Sequence, residues 1–129
     1  MALGVMLLLG IILYITGPKI LFSQVERVEF RGQRSCGGPV SKTVVLTDSE
    51  AWRTVLYYNI AAYQGPVEGD SCESEYNFTI YLKSGDRISL TEAYAPRIKV
   101  YATGRDGIWV NSALLTAFAH TLIAKYGLF

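Results

Sequence analysis

Few side chains in these 129 residues are able to do covalent or metal chemistry: one histidine, His120, and two cysteines, Cys36 and Cys72. A serine or cysteine nucleophile needs a positioned base, and that base needs a group to orient it. Gly69-Asp70-Ser71 echoes the serine motif of some esterases and proteases, but His120 is the one imidazole and has no acidic neighbour nearby in sequence. A Cys-His pair meets the same difficulty, and a disulfide would remove its nucleophile. Metal chemistry has no better footing. There is no Cys-x-x-Cys pair, and Glu68, Asp70, Glu73 and Glu75 lack the spacing of a calcium loop. No glycine-rich phosphate loop stands at a strand-to-helix junction. The expectation is therefore a non-enzymatic protein without a cofactor or metal, with a small hydrolase as a distant alternative.

The two cysteines suit a bridge better than a catalytic role. Arg31, Gly32 and Arg34 lead into Cys36, while Glu68, Asp70, Glu73 and Glu75 surround Cys72, so opposite charge draws the two segments together. A disulfide closing that interval would remove chain entropy worth roughly 4 kcal/mol and requires an oxidising compartment. The bland alternative is a pair of unrelated thiols.

Recognition chemistry is better represented. Strand alternation puts Tyr81, Lys83, Arg87, Lys99, Tyr101 and Trp109 on one sheet face, with Arg27 and Arg31 beside them if the first strand joins the sheet. Cationic groups attract anions and flat rings supply stiff contact area, so this face fits an anionic ligand, a glycan or a protein partner. The same residue types are also ordinary outward residues of a solvated sheet. A formal net charge of +1 leaves no general basic footprint for nucleic acid. Asn77-Phe78-Thr79 matches the glycosylation sequon but falls inside a predicted strand and is discounted.

These residues need a sheet to hold them. Four strands are read between Tyr76 and Val110, with Phe78, Ile80 and Leu82 alternating in the first; Ser84-Gly85-Asp86 and Arg105-Asp106-Gly107 supply turns. Upstream, Gln24–Arg31 reads as a strand with Val28 and Phe30 inward, and Lys42–Leu46 as a second. Thr47-Asp48-Ser49-Glu50 has the spacing of a capping box. The helix it opens is expected to bury Trp52, Val55, Leu56, Ile60 and Tyr63 and to stop at Gln64-Gly65-Pro66. A second helix, from Asn111 to Tyr126, takes Asn111 or Ser112 as its cap. It carries a core stripe of Leu114, Leu115, Phe118, Leu122, Ile123 and Tyr126. Its back, Ala113, Thr116, Ala117, His120, Thr121 and Ala124, bears no full charge at neutral pH, which makes it a second candidate contact surface. The element order ββαββββα predicts an α+β fold: an antiparallel sheet of about six strands with both helices on one face.

Met1 to Thr16 contains no charged side chain, and the apolar stretch continues to Phe22, roughly 33 Å if helical. Residues 1–22 are thus expected to be an N-terminal transmembrane helix acting as a signal-anchor, followed by one domain over 23–129; the competing reading is a cleaved secretory signal, against which no Lys or Arg precedes the apolar core. Lys19, Arg27, Arg31 and Arg34 after the span favour a cytoplasmic domain, whereas a disulfide favours the extracytoplasmic side. Charge bias is weak for long translocated domains, so the single-pass, extracytoplasmic arrangement is preferred. The leading expectation is a membrane-anchored binding or assembly module that uses the basic-aromatic face. The alternative is a structural or accessory subunit of a membrane protein complex, contacting its partners through the anchor and the C-terminal helix.

Overall fold

A computed structural model describes residues 20–32, 41–66, 76–94, 97–104 and 107–128. A 3-10 turn, Phe22–Gln24, leads into β1 (Val25–Gly32), followed by β2 (Val44–Val45), α1 (Asp48–Asn59) and β3 (Ala62–Pro66). The meander comprises β4 (Tyr76–Leu82), β5 (Arg87–Tyr94), β6 (Arg97–Ala102) and β7 (Ile108–Asn111), and α2 (Ala113–Tyr126) closes the fold. All strand pairs are antiparallel, in the order β2-β1-β4-β5-β6-β7-β3.

The α+β class and the four-stranded meander match expectation, but the sheet has seven strands rather than about six. The extra one is β3, from residues expected to end the first helix or to stop it. Pairing Ala62 with Asn111 and Pro66 with Ile108 gives the far edge of β7 a partner for its backbone groups. Its own exposed edge is blunted by Pro66 and by a register shift between Tyr63 and Gly65, where Gly65 has φ 120°. A pairing across more than forty residues leaves no trace in local periodicity.

One layer of apolar side chains joins sheet to helices. In register across four strands, Phe30, Phe78, Leu90 and Val100 form the central row, flanked by Val28, Ile80 and Ile88 on one side and Ile98 and Val110 on the other. Burying each large side chain in this layer contributes about 1.5–3 kcal/mol. α2 docks on β4 through Phe118, whose ring stacks with Phe78 at 6.4 Å, and through Thr116, whose hydroxyl lies 2.8 Å from that of Tyr76. Thr116 is thus buried, not part of the helix's exposed back, while Leu114 is exposed rather than in the core stripe.

α1 is rotated relative to expectation. It buries Ala51, Thr54, Val55 and Tyr58, leaving Trp52, Leu56 and Ile60 exposed. Trp52 and Leu56 dominate a hydrophobicity pattern, but the packed face is the i, i+3, i+4, i+7 set of Ala51, Thr54, Val55 and Tyr58, the first two small enough to let the helix approach the sheet. The predicted capping box is present: Thr47 Oγ1 accepts from Glu50 N at 3.2 Å and Glu50 Oε1 accepts from Thr47 N at 3.0 Å. The same carboxylate also receives Lys125 Nζ at 2.7 Å and the Tyr126 hydroxyl at 2.6 Å, tying the start of α1 to the last turn of α2.

The expected anchor falls mostly on residues 1–19, outside the described residues. Ile20 is buried in the domain, donating its N–H to Asn59 Oδ1 at 2.8 Å and accepting from Asn59 Nδ2 at 2.7 Å. Two backbone groups of Ile20 are therefore satisfied by α1. Among the described residues no helix is long and apolar enough to cross a membrane. Cys36 and Cys72 also lie outside the described residues.

Candidate functional site

The sheet face turned away from the helices is built by register. Arg27, Tyr81 and Arg87 form one row on β1, β4 and β5. The next holds Glu29, Thr79, Ser89 and Tyr101, and a third holds Arg31, Asn77, Thr91, Lys99 and Trp109. Five of the six expected site residues thus share the face, while Lys83 lies beyond the end of β4, exposed in the turn to β5. Its backbone N–H donates to Gln24 O at 2.8 Å, which fixes the turn against the entry to β1.

The face divides into two unlike halves. Towards β7, Lys99 and Trp109 are only 8% and 7% exposed, and the Trp109 ring meets cations of its own chain: Arg97 Cζ at 4.5 Å and Lys99 Nζ at 5.5 Å from the ring centre. Lys99 and Trp109 were expected on the open contact surface; the structure buries both and sets the Lys99 ammonium over the Trp109 ring. Arg97, absent from the expected set, completes this cluster from the exposed side.

Towards β1 the face is open. Tyr101 is 43% exposed and Arg87 is exposed, with Tyr81 half-buried between Arg27 and Arg87. A depression of about 510 Å³ is lined by Tyr81, Gly85, Arg87, Tyr101 and Thr103. A second, of about 210 Å³, includes Glu29, Arg31, Thr43, Asn77 and Thr79 and again Tyr81 and Arg87. Tyr81 and Arg87 line both, and the two depressions together make up the groove of this face.

Local sequence explains how these walls are held. Thr103 Oγ1 accepts from Arg87 N at 3.0 Å and donates to Arg87 O at 3.2 Å, fixing the first residue of β5. Gly107 lets the Tyr101 ring lie against the chain, since a Cβ there would fall 2.5 Å from Tyr101 Cε1. In the groove floor, buried Asn77 donates from Nδ2 to Ser89 Oγ at 2.9 Å and Thr91 Oγ1 at 2.7 Å, and accepts from Thr79 Oγ1 at 3.0 Å. Both amide hydrogens are thereby used and the side chain is enclosed, which rules against glycosylation at the sequon and agrees with its discounting.

Charge is not spread evenly. Arg27 donates from Nε to Glu29 Oε2 at 2.9 Å and from Nη1 to Glu26 Oε1 at 3.1 Å, while its guanidinium lies 3.9 Å from the Tyr81 ring centre. The Tyr81 hydroxyl reaches Glu29 Oε1 at 3.4 Å. Arg27 is therefore largely neutralised, and among the described residues the cations left to meet a ligand in the groove are Arg31 and Arg87. Glu29 was not in the expected site, although its alternation with Arg27 and Arg31 along β1 was visible. A guanidinium and two phenol rings lining one depression, next to hydroxyls and an amide, suit a carboxylate, sulfate, phosphate or sugar by hydrogen bonding and stacking.

Elsewhere, His120 is exposed on α2. Among the described residues no group of three or more His, Cys, Asp or Glu is placed to hold a metal ion. No family of known proteins, no curated protein and no solved structure matches this chain.

Proposed function

We propose that this protein is a membrane-anchored, non-enzymatic binding module that recognises an anionic or glycan ligand on the open half of its sheet face. The observation that carries this reading is that both surface depressions share Tyr81 and Arg87. Arg31 and Arg87 supply charge, Tyr81 and Tyr101 supply flat contact surface, and Lys83 extends the positive edge. Lys99 and Trp109 hold the neighbouring half in place. Sulfated and neutral oligosaccharides and inorganic phosphate, titrated into the purified chain by calorimetry at low and high ionic strength, test it. An Arg31→Ala, Arg87→Ala variant is expected to lose roughly tenfold or more in affinity for the anionic probes, the equivalent of one charge-assisted contact. Equal binding by wild type and variant at both ionic strengths would remove the site.

The extracytoplasmic placement belongs to the same proposal. Gly32 and Tyr76 are paired on neighbouring strands, and Cys36 and Cys72 each stand four residues from that pair in sequence. Thiol alkylation of natively produced protein should label both cysteines only after reduction; labelling without reduction would refute the bridge and the compartment it implies.

A second reading, an accessory subunit of a membrane complex, is favoured by the back of α2, where Ala113, Ala117, His120, Thr121 and Ala124 are all exposed without a full charge at neutral pH. A complex that co-purifies in mild detergent and survives the Arg31, Arg87 double substitution would favour it over the ligand-binding reading.

A further inference from the structure

On the membrane attachment proposed above, we infer that the exposed face of α1 rests on a lipid surface and fixes how the domain stands over the bilayer. Trp52, Leu56 and Ile60 recur every fourth residue and form one stripe along the helix, with Trp52 52% and Ile60 49% exposed. Three large apolar side chains in a row on a helix whose other face is fully packed form a surface that water does not favour.

The occupant follows from where the chain enters. Asn59 sits beside Leu56 by helical spacing, and its side chain makes two hydrogen bonds to the backbone of Ile20. Leu21, 64% exposed, and Phe22, 39% exposed, follow at once. In sequence, the uncharged stretch Met1–Thr16 ends only four residues before this docking point. The apolar stripe is therefore tied to the place from which the chain's most apolar segment departs. The helix opens on Asp48, one turn before Trp52, but from Ala51 to Pro66 the only charged residue is Arg53, and Lys19 immediately precedes Ile20 in sequence, so the charge nearest the docking point in sequence is positive and suits anionic headgroups. Tryptophan at such a face favours the boundary between headgroups and acyl chains. The groove of Tyr81, Arg87 and Tyr101 lies on the other side of the sheet from α1, so this seating leaves it open.

Full-length protein reconstituted into phosphatidylcholine–phosphatidylserine vesicles containing acyl-brominated lipid tests the inference. Flotation reports attachment, and tryptophan quenching reports contact with lipid. Trp109 is buried and on the opposite sheet face, so quenching in wild type that is lost in Trp52→Phe is expected. If the chain floats but wild type and Trp52→Phe are quenched alike, attachment stands and the seating of α1 is overturned, as it is if cross-linking shows this stripe against a second copy. Failure to float overturns both.

Discussion

Two clusters in this molecule use the same three groups, a carboxylate, a cation and a phenol, to different ends. Glu50, Lys125 and Tyr126 meet between the helix ends, where Glu50 is buried and its two oxygens take bonds of 2.7 Å and 2.6 Å while also closing the α1 cap. Glu29, Arg27 and Tyr81 meet on the sheet face, with the Arg27 side chain 38% exposed and the Tyr81 hydroxyl at a long 3.4 Å. The first cluster is a fastening that joins elements separated by 75 residues. The second sits at the rim of a groove and sets how much positive charge that groove offers. Chemistry alone does not separate them; solvent does. Removing water strengthens each interaction at Glu50, whereas an exposed pair is screened and adds little.

The largest effect that sharpens this contrast lies at Glu50. Burial on its own would raise the acid's pKa, but hydrogen bonds from Lys125, Tyr126 and Thr47 outweigh it and pull the value from 4.5 down to about 2. A depressed folded-state value means that the stabilisation is fully present above pH 4.5 and is lost as pH falls through about 2. Glu50→Gln is expected to cost about 3 kcal/mol at neutral pH in denaturant unfolding, with the gap to wild type narrowing through that acid window. A gap that stays constant with pH would show that charge is not what holds the helices there.

Glu29→Gln should behave in the opposite sense. Its effect on unfolding is expected to stay below about 1 kcal/mol, because an exposed ion pair carries little net stability. Freed from Glu29, Arg27 would add to Arg31 and Arg87, so affinity for an anionic probe in the groove should rise a few-fold. A large stability loss without any change in anion binding would place the Glu29 cluster with Glu50 and break the comparison.

Much of the fold was legible because its signals are local. Period-two alternation identified the meander, since each strand buries one face. The capping box at Thr47 and the cap at Ser112 were readable because their donors and acceptors lie within one turn. Alternation also placed Tyr81, Arg87 and Tyr101 together on one face, as register confirms. The failures were of another kind. Trp52 looked like core and is exposed, because depth of packing favoured the small Ala51 and Thr54. Lys99 and Trp109 had the right parity, yet parity says which side a residue faces and nothing of whether that side is covered.

Local chemistry in the chain, then, determined strand identity, helix starts and the two sides of the sheet, all consequences of backbone periodicity and hydrogen bonding within a few residues. Tertiary structure alone decided that β3 would leave the helix to complete the edge of β7, and that Glu50 would reach Lys125 and Tyr126. It also decided which half of the basic-aromatic face stays open. Those outcomes depend on groups far apart in sequence competing for the same buried space and the same unpaired backbone edge, and that competition is settled only when the sheet and helices close on one another.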